Sequence, residues 1–247
     1  MRILVTNDDG VNSPALPRLV KWAEKLGEVI TVAPKVEQSG KSQGIEIHDA
    51  VEIKKVQLDG GITAYAMDST PADCVRFGVL GLHKEYDLVI SGINRGFNVG
   101  HDIAYSGTVG AIFEGSRLGI PGLALSTDPI SFENAFACLD AAWSFICENK
   151  LYEYNSLYNV NFPLEGEDFK ITHQGGMFYS DAFEHRGGDM YIQVGEPVKD
   201  DPANPDSDIN AICNGLISIT PLTAHKTNFA RNANSATKIR HKHKRAL

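Results

Sequence analysis

The segment MRILVTNDDG at residues 1–10 carries the pattern from which the fold class follows. Its apolar run at residues 3–5 lacks the polar alternation of a half-exposed strand, so it predicts a strand buried on both faces of a parallel sheet. The polar turn at residues 7–10 comes next, and a helix is predicted over Pro14–Lys25. Ser13 is placed to cap this helix, with a proline at the first helical position.

The same alternation of strand and helix continues through the first 150 residues. The further predicted strands are Val29–Ala33, Leu88–Ile90 and Gly122–Ser126, and the further predicted helices are Pro71–Leu82, Thr108–Leu118 and Phe132–Glu148. Residues 45–58 contain clustered β-formers and predict a hairpin or edge strands. The pattern favours an α/β fold with a Rossmann-like, doubly wound and mostly parallel sheet.

Beyond Tyr152 the pattern changes to short strand-like runs separated by loops rich in Gly, Asp and Pro. These runs are Asn159–Phe162, Lys170–His173, Tyr191–Val194 and Ile217–Pro221. We therefore expect a C-terminal α+β extension. Residues 1–247 are predicted to form a single domain, with a core at about 1–150 plus 217–222 and an extension with an oligomerisation arm at about 151–247.

Charge is distributed unevenly along the chain. The formal net charge is −8, yet all acidic residues lie at or before Asp208, and seven Lys or Arg residues follow residue 225. The strongly acidic body makes nucleic acid an unlikely partner, so an anionic substrate must be attracted by local features. The basic stretch Lys238–Arg245 predicts a solvated tail, an arm that packs on another subunit, or a nucleic-acid contact.

The sequence predicts a cytoplasmic protein. No stretch approaches the roughly 20 apolar residues needed to cross a bilayer, and Met1 runs directly into a strand instead of a signal segment. The four cysteines lack C-x-x-C spacing, which indicates buried thiols in a reducing compartment.

Hard oxygen ligands are concentrated in the loops that follow the predicted strands. Asp8 and Asp9 are adjacent carboxylates after a buried strand, where their repulsion is costly unless a cation compensates them. Ser39 and Asn94 follow two other strands and add neutral oxygens. This set predicts a Mg²⁺ or Mn²⁺ site and disfavours zinc. The alternative is that one of the acids caps the following helix.

A second polar segment, Tyr105–Gly110, immediately precedes a predicted helix. Unpaired N–H groups and the positive end of the helix dipole make such a turn an anion site, and small residues let a phosphate approach. Ser106, Gly107 and Thr108 are the candidates for this role. An ordinary helix cap is the alternative explanation.

Together these motifs resemble the SurE (survival protein E) family of 5′/3′-nucleotidases. The resemblance is carried by MRILVTNDDG at residues 1–10, QSG at 38–40, TPADCV at 70–75, SGINRGFNVG at 91–100, YSGTVGA at 105–111, NVNFP at 159–163 and SITPL at 218–222. It covers nearly the whole chain in order. Ser69 and Leu216 depart from the family pattern, at positions where glycine and tyrosine are common.

The resemblance implies one divalent cation per subunit and hydrolysis of nucleoside 5′- and 3′-monophosphates, with exopolyphosphatase as a side activity. It also implies a homodimer or homotetramer. By motif position, the metal ligands are Asp8, Asp9, Ser39 and Asn94; Asp8 and Asp9 are the catalytic candidates; and the phosphate or substrate contacts are Asn94, Asn98, Ser106, Gly107 and Thr108.

Two alternatives remain open from the sequence. Asp8 or Asp9 could attack phosphorus directly and form an aspartyl-phosphate, instead of a metal-activated water attacking. A receiver-like phospho-signalling module also carries an acidic pair after its first strand. That alternative requires a third Asp and a Lys at later strand ends, whereas the third predicted strand ends in Ser91-Gly92.

Overall fold

A computed structural model describes residues 1–198 and 202–225, and its centre is a nine-stranded sheet. The strands are β1 (Arg2–Thr6), β2 (Glu28–Pro34), β3 (Ile53–Leu58), β4 (Ile62–Met67), β5 (Leu88–Arg95), β6 (Gly122–Thr127), β7 (Leu157–Phe162), β8 (Phe169–Ile171), β9 (Tyr179–His185), β10 (Tyr191–Pro197) and β11 (Ile217–Leu222). The helices are α1 (Ala15–Ala23), α2 (Pro71–Arg76), α3 (Gly107–Arg117), α4 (Glu133–Glu148) and α5 (Asp208–Cys213).

The strand order in the large sheet is β3-β4-β2-β1-β5-β6-β7-β11-β8. The pairs from β4 through β7 are all parallel, whereas β3 and β11 pair antiparallel with their neighbours β4 and β7. Strands β9 and β10 form a separate antiparallel hairpin. The predicted mostly parallel α/β fold with a C-terminal extension is confirmed.

Helices cover both faces of the sheet, as the unbroken apolar run of β1 predicts. Ile3 and Val5 point into the apolar cluster that contains α1 and α4, whereas Leu4 points into the cluster that contains α2 and α3. All three side chains are fully buried. A strand of this kind must be apolar at every position because neither face meets water.

The chain reverses its direction of winding between β1 and β5. From β1 it passes through α1 to β2 on one side, and from β4 it returns through α2 to β5 on the other side of β1. A crevice opens at the carboxyl ends of two strands where the winding reverses, and ligands of doubly wound sheets bind there. The turns after β1 and β5 therefore meet at this crevice.

Strand β5 is longer than predicted and includes part of the segment expected to be a loop. Its register against β6 shifts between Ser91 and Asn94, and pairing resumes with Asn94 opposite Ser126. Gly92 lies within the shift at φ +136°, and a Cβ there would be 2.3 Å from the carbonyl oxygen of Leu125. The irregularity changes the direction of the strand without ending it. A sequence rich in Gly and Asn does not distinguish such a strand from a loop.

Several other boundaries differ from the predictions. Of residues 45–58 only β3 forms a strand, and β4, β9 and α5 were not predicted. Helix α2 ends at Arg76, and a π-helical turn over Phe77–Gly81 follows it directly. Cys74 and Cys138 are buried as expected, but Cys147 and Cys213 are exposed.

The predicted cap of α1 is wrong. The residue at the N-cap position is Pro14, and no side chain caps the helix. The backbone N–H of Ser13 donates to Gly10, and its buried hydroxyl has no hydrogen-bond partner among the described residues. The turn after Gly10, which has φ +91°, directs the hydroxyl into the protein instead of toward the helix N–H groups.

The buried carboxylate of Glu114 in α3 contacts both α2 and the loop after β2. Its buried carboxylate accepts hydrogen bonds from Arg76, Arg117 and Gln43 at 2.8–3.0 Å. Burial alone would raise the pKa of Glu114, but these three donors hold the pKa below its ordinary value. The loop after β2 is thereby tied to α2 and α3 beside the crevice.

The predicted basic tail lies outside the described residues. Within residues 1–198 and 202–225, no helix has the length and apolar character required to cross a membrane.

Candidate active site

Asp8 lies at the carboxyl end of β1 with its carboxylate at the N-terminus of α3. Its Oδ1 accepts a hydrogen bond from Thr108 Oγ1 at 2.6 Å, and its Oδ2 accepts one from the Thr108 backbone N–H at 3.1 Å. The side chain is 4% exposed, and burial raises the pKa of Asp8 against the opposing effect of the Thr108 hydrogen bonds. The helix N-terminus partly stabilises this buried negative charge.

Gly107 makes this close approach of α3 to Asp8 feasible. A Cβ at Gly107 would lie 2.9 Å from Asp8 Cβ, 3.1 Å from Asp8 Oδ2 and 3.2 Å from Pro71 Cγ. These separations are below ordinary van der Waals contact, so a larger residue would displace the carboxylate. The glycine thus has a packing reason in addition to any role in binding an anion.

Asp9 is half-buried and less firmly held than Asp8. Among the described residues, its Oδ2 accepts a single long hydrogen bond, 3.4 Å, from the backbone N–H of Arg95. Burial and the neighbouring charge of Asp8 raise the pKa of Asp9 to about 6. Neither acid caps α1, and the pair is an excess of buried negative charge that a cation would relieve.

The loop after β2 brings Ser39 to the acidic pair. The Gln38 backbone N–H donates to the Asp8 carbonyl at 2.7 Å, which places the loop against the turn after β1. Ser39 Oγ donates to Glu37 Oε1 at 2.6 Å, so its lone pairs remain available as an oxygen ligand.

Glu37 is a third acid near the site that the sequence reasoning missed. Its charge acts to raise the pKa of both Asp8 and Asp9, and its carboxylate orients Ser39. The only signal in the sequence is its position two residues before Ser39.

Asn94 ends the bulged part of β5 and lies beside Arg95, the residue whose N–H contacts Asp9. Its amide nitrogen donates to the Gly96 carbonyl at 2.8 Å. This bond sets the orientation of the amide and leaves Oδ1 as the atom available to a ligand. The backbone contacts of Gln38 and Arg95 thus bring the segments that carry Ser39 and Asn94 next to the turn of Asp8 and Asp9.

The donor set fits a hard divalent cation. It consists of two carboxylates, one hydroxyl and one amide oxygen, which suits Mg²⁺ or Mn²⁺. Among the described residues there is no group of three or more His, Cys, Asp or Glu side chains arranged to hold a metal.

The N-terminus of α3 combines a helix cap with a candidate anion site. Ser106 Oγ accepts from the Val109 N–H at 3.1 Å, so the capping explanation holds for this side chain. Gly110 N–H donates to the Ser106 carbonyl and Thr108 N–H donates to Asp8. The Gly107 N–H has no partner within the described ranges, and the Ser106 hydroxyl proton is still free to donate. These two donors are the ones open to a phosphate oxygen.

Asn98 is largely buried, as Ser106 and Thr108 are. Its side chain is 8% exposed, and its amide nitrogen donates to Ser126 Oγ at 2.8 Å.

A pocket of about 660 Å³ adjoins the crevice. Gly40, next to Ser39, and Tyr105, next to Ser106, form the side shared with the candidate site. The hairpin forms the other side, through Tyr179, Asp181, Gln193, Val194 and Gly195. The pocket is therefore large enough for a nucleoside and mixes aromatic with hydrogen-bonding groups.

Comparisons with known proteins agree with this architecture. The family model described as "Survival protein SurE" matches residues 3–181. A Thermosipho melanesiensis protein named 5′-nucleotidase SurE is 37% identical over 244 residues, covering 92% of this chain and 93% of the relative. A Kosmotoga olearia protein of the same name is 38% identical over 240 residues, covering 92% and 94%. The crystal structure of the SurE protein from Aquifex aeolicus has a TM-score of 0.78 at 31% identity and covers 96% of this chain and 99% of that one.

Proposed function

Because the chain belongs to the SurE family, we propose that it hydrolyses nucleoside 5′-monophosphates to nucleosides and phosphate with the help of one bound Mg²⁺ or Mn²⁺. Activity toward 3′-monophosphates and an exopolyphosphatase side activity are part of the same proposal. The curated relatives, named as 5′-nucleotidases, support a hydrolase and disfavour the receiver-like signalling module.

One observation carries the proposal: the buried carboxylate of Asp8, with the half-buried Asp9 beside it, accepts hydrogen bonds at the N-terminus of α3. Two adjacent acids need a cation, whereas a helix N-terminus favours an anion. A phosphate ester is a ligand that satisfies both, because its oxygens can contact a cation on one side and N–H donors on the other. Asp8, Asp9, Ser39 and Asn94 would hold the cation.

The protein groups have distinct tasks in the proposed reaction. A divalent cation, when bound, would supply Lewis-acid chemistry that offsets charge on the phosphate oxygens and acidifies water. Gly107 N–H and Ser106 Oγ–H donate to the phosphate and hold it for in-line attack. Water oxygen bonds to phosphorus, the ester P–O bond breaks, and the nucleoside oxygen takes up a proton.

The geometry favours Asp9 over Asp8 as the group that accepts the proton of the attacking water. Both oxygens of Asp8 already accept hydrogen bonds from Thr108, whereas within the described part of the chain Asp9 accepts one long hydrogen bond, from Arg95. The same engagement of Asp8 disfavours it as a direct nucleophile in the aspartyl-phosphate alternative.

The pocket next to the crevice supports a nucleoside as the leaving group. Tyr105 is 62% exposed and directly precedes Ser106, so a base in the pocket can stack on its ring while phosphate occupies the helix terminus.

The variant Tyr105→Ala tests this assignment with AMP and ribose 5-phosphate, which differ by the base. We expect the KM for AMP to rise about 10-fold, since base stacking on an aromatic ring contributes about 1–3 kcal/mol. The kinetic constants for ribose 5-phosphate should stay near those of the wild type. Steady-state phosphate release measures both.

Tyr154→Ala is the matched control, because Tyr154 is an exposed tyrosine outside the pocket lining. It should leave both substrates unaffected. An equal loss with AMP and ribose 5-phosphate in Tyr105→Ala would remove base stacking from the account, and a wild type inactive on every nucleotide would remove the proposed function.

We further propose that residues 1–247 form one domain that assembles as a homodimer or homotetramer. The exposed apolar side chains of the hairpin, Phe183, Met190, Tyr191 and Ile192, support a contact between subunits. Cytoplasmic localisation stays a prediction from the sequence.

A further inference from the structure

The segment from Asn94 to Ser106 connects the two halves of the proposed site. Asn94, one of the proposed metal ligands, lies at the start of this segment, and the proposed anion-binding turn at Ser106 lies at its end. Gly96 and Gly100 both have positive φ, at +121° and +57°, so the chain leaves the sheet between them. Such a segment keeps its shape only if its middle is fixed.

Three buried asparagines hold the middle of this segment. Asn161 accepts from the Asn98 backbone N–H at 2.8 Å and donates to the Asn98 carbonyl at 3.0 Å. Asn159 donates to the same carbonyl at 2.7 Å, and the Asn98 side chain donates to Ser126 at 2.8 Å. We name Asn98, Asn159 and Asn161 the amide clamp.

The members of the amide clamp are poorly explained by strand stability alone. Asn159 and Asn161 are fully buried in β7, where apolar side chains are normal, and burying amides is costly unless each finds partners. Asn159 even keeps an Oδ1 without a hydrogen-bond partner among the described residues. The Asn161 amide pairs with both backbone groups of Asn98, accepting from the N–H and donating to the carbonyl, which an apolar side chain cannot do.

The amide clamp is connected to Asn94 through Gly96. The Gly96 carbonyl, two residues before Asn98, accepts from the Asn94 amide, and the Gly96 N–H donates to Thr127. Displacement of Asn98 would move Gly96 and rotate the Asn94 amide. On the other side, Gly100 N–H donates to buried Asp208 at 3.0 Å, and the 3₁₀ turn Gly100–Tyr105 leads to Ser106.

We propose that Asn159 and Asn161, the two asparagines of NVNFP, are positioning residues of the active site that act through Asn98 to hold Asn94 and the turn at Ser106 in register. This inference rests on the proposed function. It assigns the backbone of Asn98 a structural task in the site. Partners of metal ligands commonly change metal affinity or activity about 10–100-fold when altered.

The test variant is Asn161→Asp, which keeps the acceptor for the Asn98 N–H and removes the donor to its carbonyl. We expect the Kd for Mn²⁺, measured by titration calorimetry on metal-free protein, to rise about 10–100-fold, and kcat for AMP at saturating Mn²⁺ to fall about 10-fold or more. The milder Asn159→Ser removes one bond and should shift both quantities in the same direction by less, which keeps the test valid if Asn161→Asp does not fold.

The matched control is Asn155→Asp, because the Asn155 amide donates to the carbonyls of Leu157 and Leu222 away from the site. It should lower Tm without changing Mn²⁺ affinity. If Asn161→Asp and Asn159→Ser also lower only Tm, the amide clamp is merely structural and the inference is overturned. A wild type that binds Mn²⁺ but releases no phosphate would contradict the proposed function, while the Mn²⁺ isotherms would still decide on the amide clamp.

Discussion

Asp9→Asn is expected to lower kcat/KM for AMP by at least about 100-fold while Tm stays unchanged or rises. Loss of the charge weakens cation binding and removes the proton acceptor, and groups that stabilise transition-state charge contribute about 10²–10³-fold. The substitution should not destabilise the folded protein, because it removes a negative charge that is repelled by the charges of Asp8 and Glu37. Phosphate release with excess Mn²⁺ and thermal unfolding of the metal-free protein measure the two effects.

Asp8→Asn should reduce activity equally, again without lowering Tm. Burial raises the pKa of Asp8, so removing its charge relieves a cost, and an amide can still accept from the Thr108 N–H and donate to Thr108 Oγ1. Asp59→Asn is the control, since Asp59 lies in the β3–β4 turn at the opposite edge of the sheet. Near-normal turnover of Asp9→Asn, alongside a normal Asp59→Asn, would refute the assigned role of the acidic pair.

Gly107→Ala is expected to reduce kcat about 100-fold although alanine is the better helix former. The new Cβ would sit 2.9 Å from Asp8 Cβ and must push the carboxylate or the helix terminus aside. Misplacement of a catalytic group by about 1 Å can cost 10²-fold in rate. The assay is single-turnover phosphate release at saturating AMP and Mn²⁺.

The cause of this loss can be separated from unfolding. Circular dichroism should show a folded protein, and Mn²⁺ affinity should fall together with kcat because Asp8 is displaced. Wild-type affinity and turnover in Gly107→Ala would mean that α3 accommodates the methyl group, and the close packing of Gly107 on Asp8 would then have no functional meaning.

Much of the fold could be predicted because several of its central strands contain an unbroken apolar run. The run Ile3-Leu4-Val5 has no exposed face, so it required helices on both sides of the sheet, and the structure supplies them. In parallel sheets ligands bind at the carboxyl ends of the strands. This rule correctly predicted that the turns after β1 and β5 lie close together.

The elements that escaped prediction lack such a pattern. The end of β5 contains Ser91-Gly92, which is typical of a loop, and pairing of Ser91 with β1 and of Asn94 and Arg95 with β6 keeps it in the sheet. Strand β9 pairs with β10 and is largely exposed, so burial imposes no alternation on its sequence. Ser13 has the residue type of a cap, but the backbone turn decides where its hydroxyl points.

Within the site, residue types were predictable and contacts were not. Adjacent carboxylates and a small-residue helix start are local features, so both were identified from the sequence. The bond between Asp8 and Thr108 joins residues 100 positions apart, and the amide clamp joins Asn98 to residues 61 and 63 positions away. Such contacts depend on how α3 packs on the sheet and on where β7 lies within the sheet. The periodicity of apolar residues in the sequence encodes neither.

The most direct test of the central claim is phosphate release from AMP by protein stripped with EDTA, followed by titration with Mn²⁺ or Mg²⁺ and assay of bound metal. The account predicts that stripping lowers the rate at least about 100-fold and that activity returns in proportion to occupancy, saturating at one cation per chain. A full rate of AMP hydrolysis in protein shown to be free of divalent metal would contradict it.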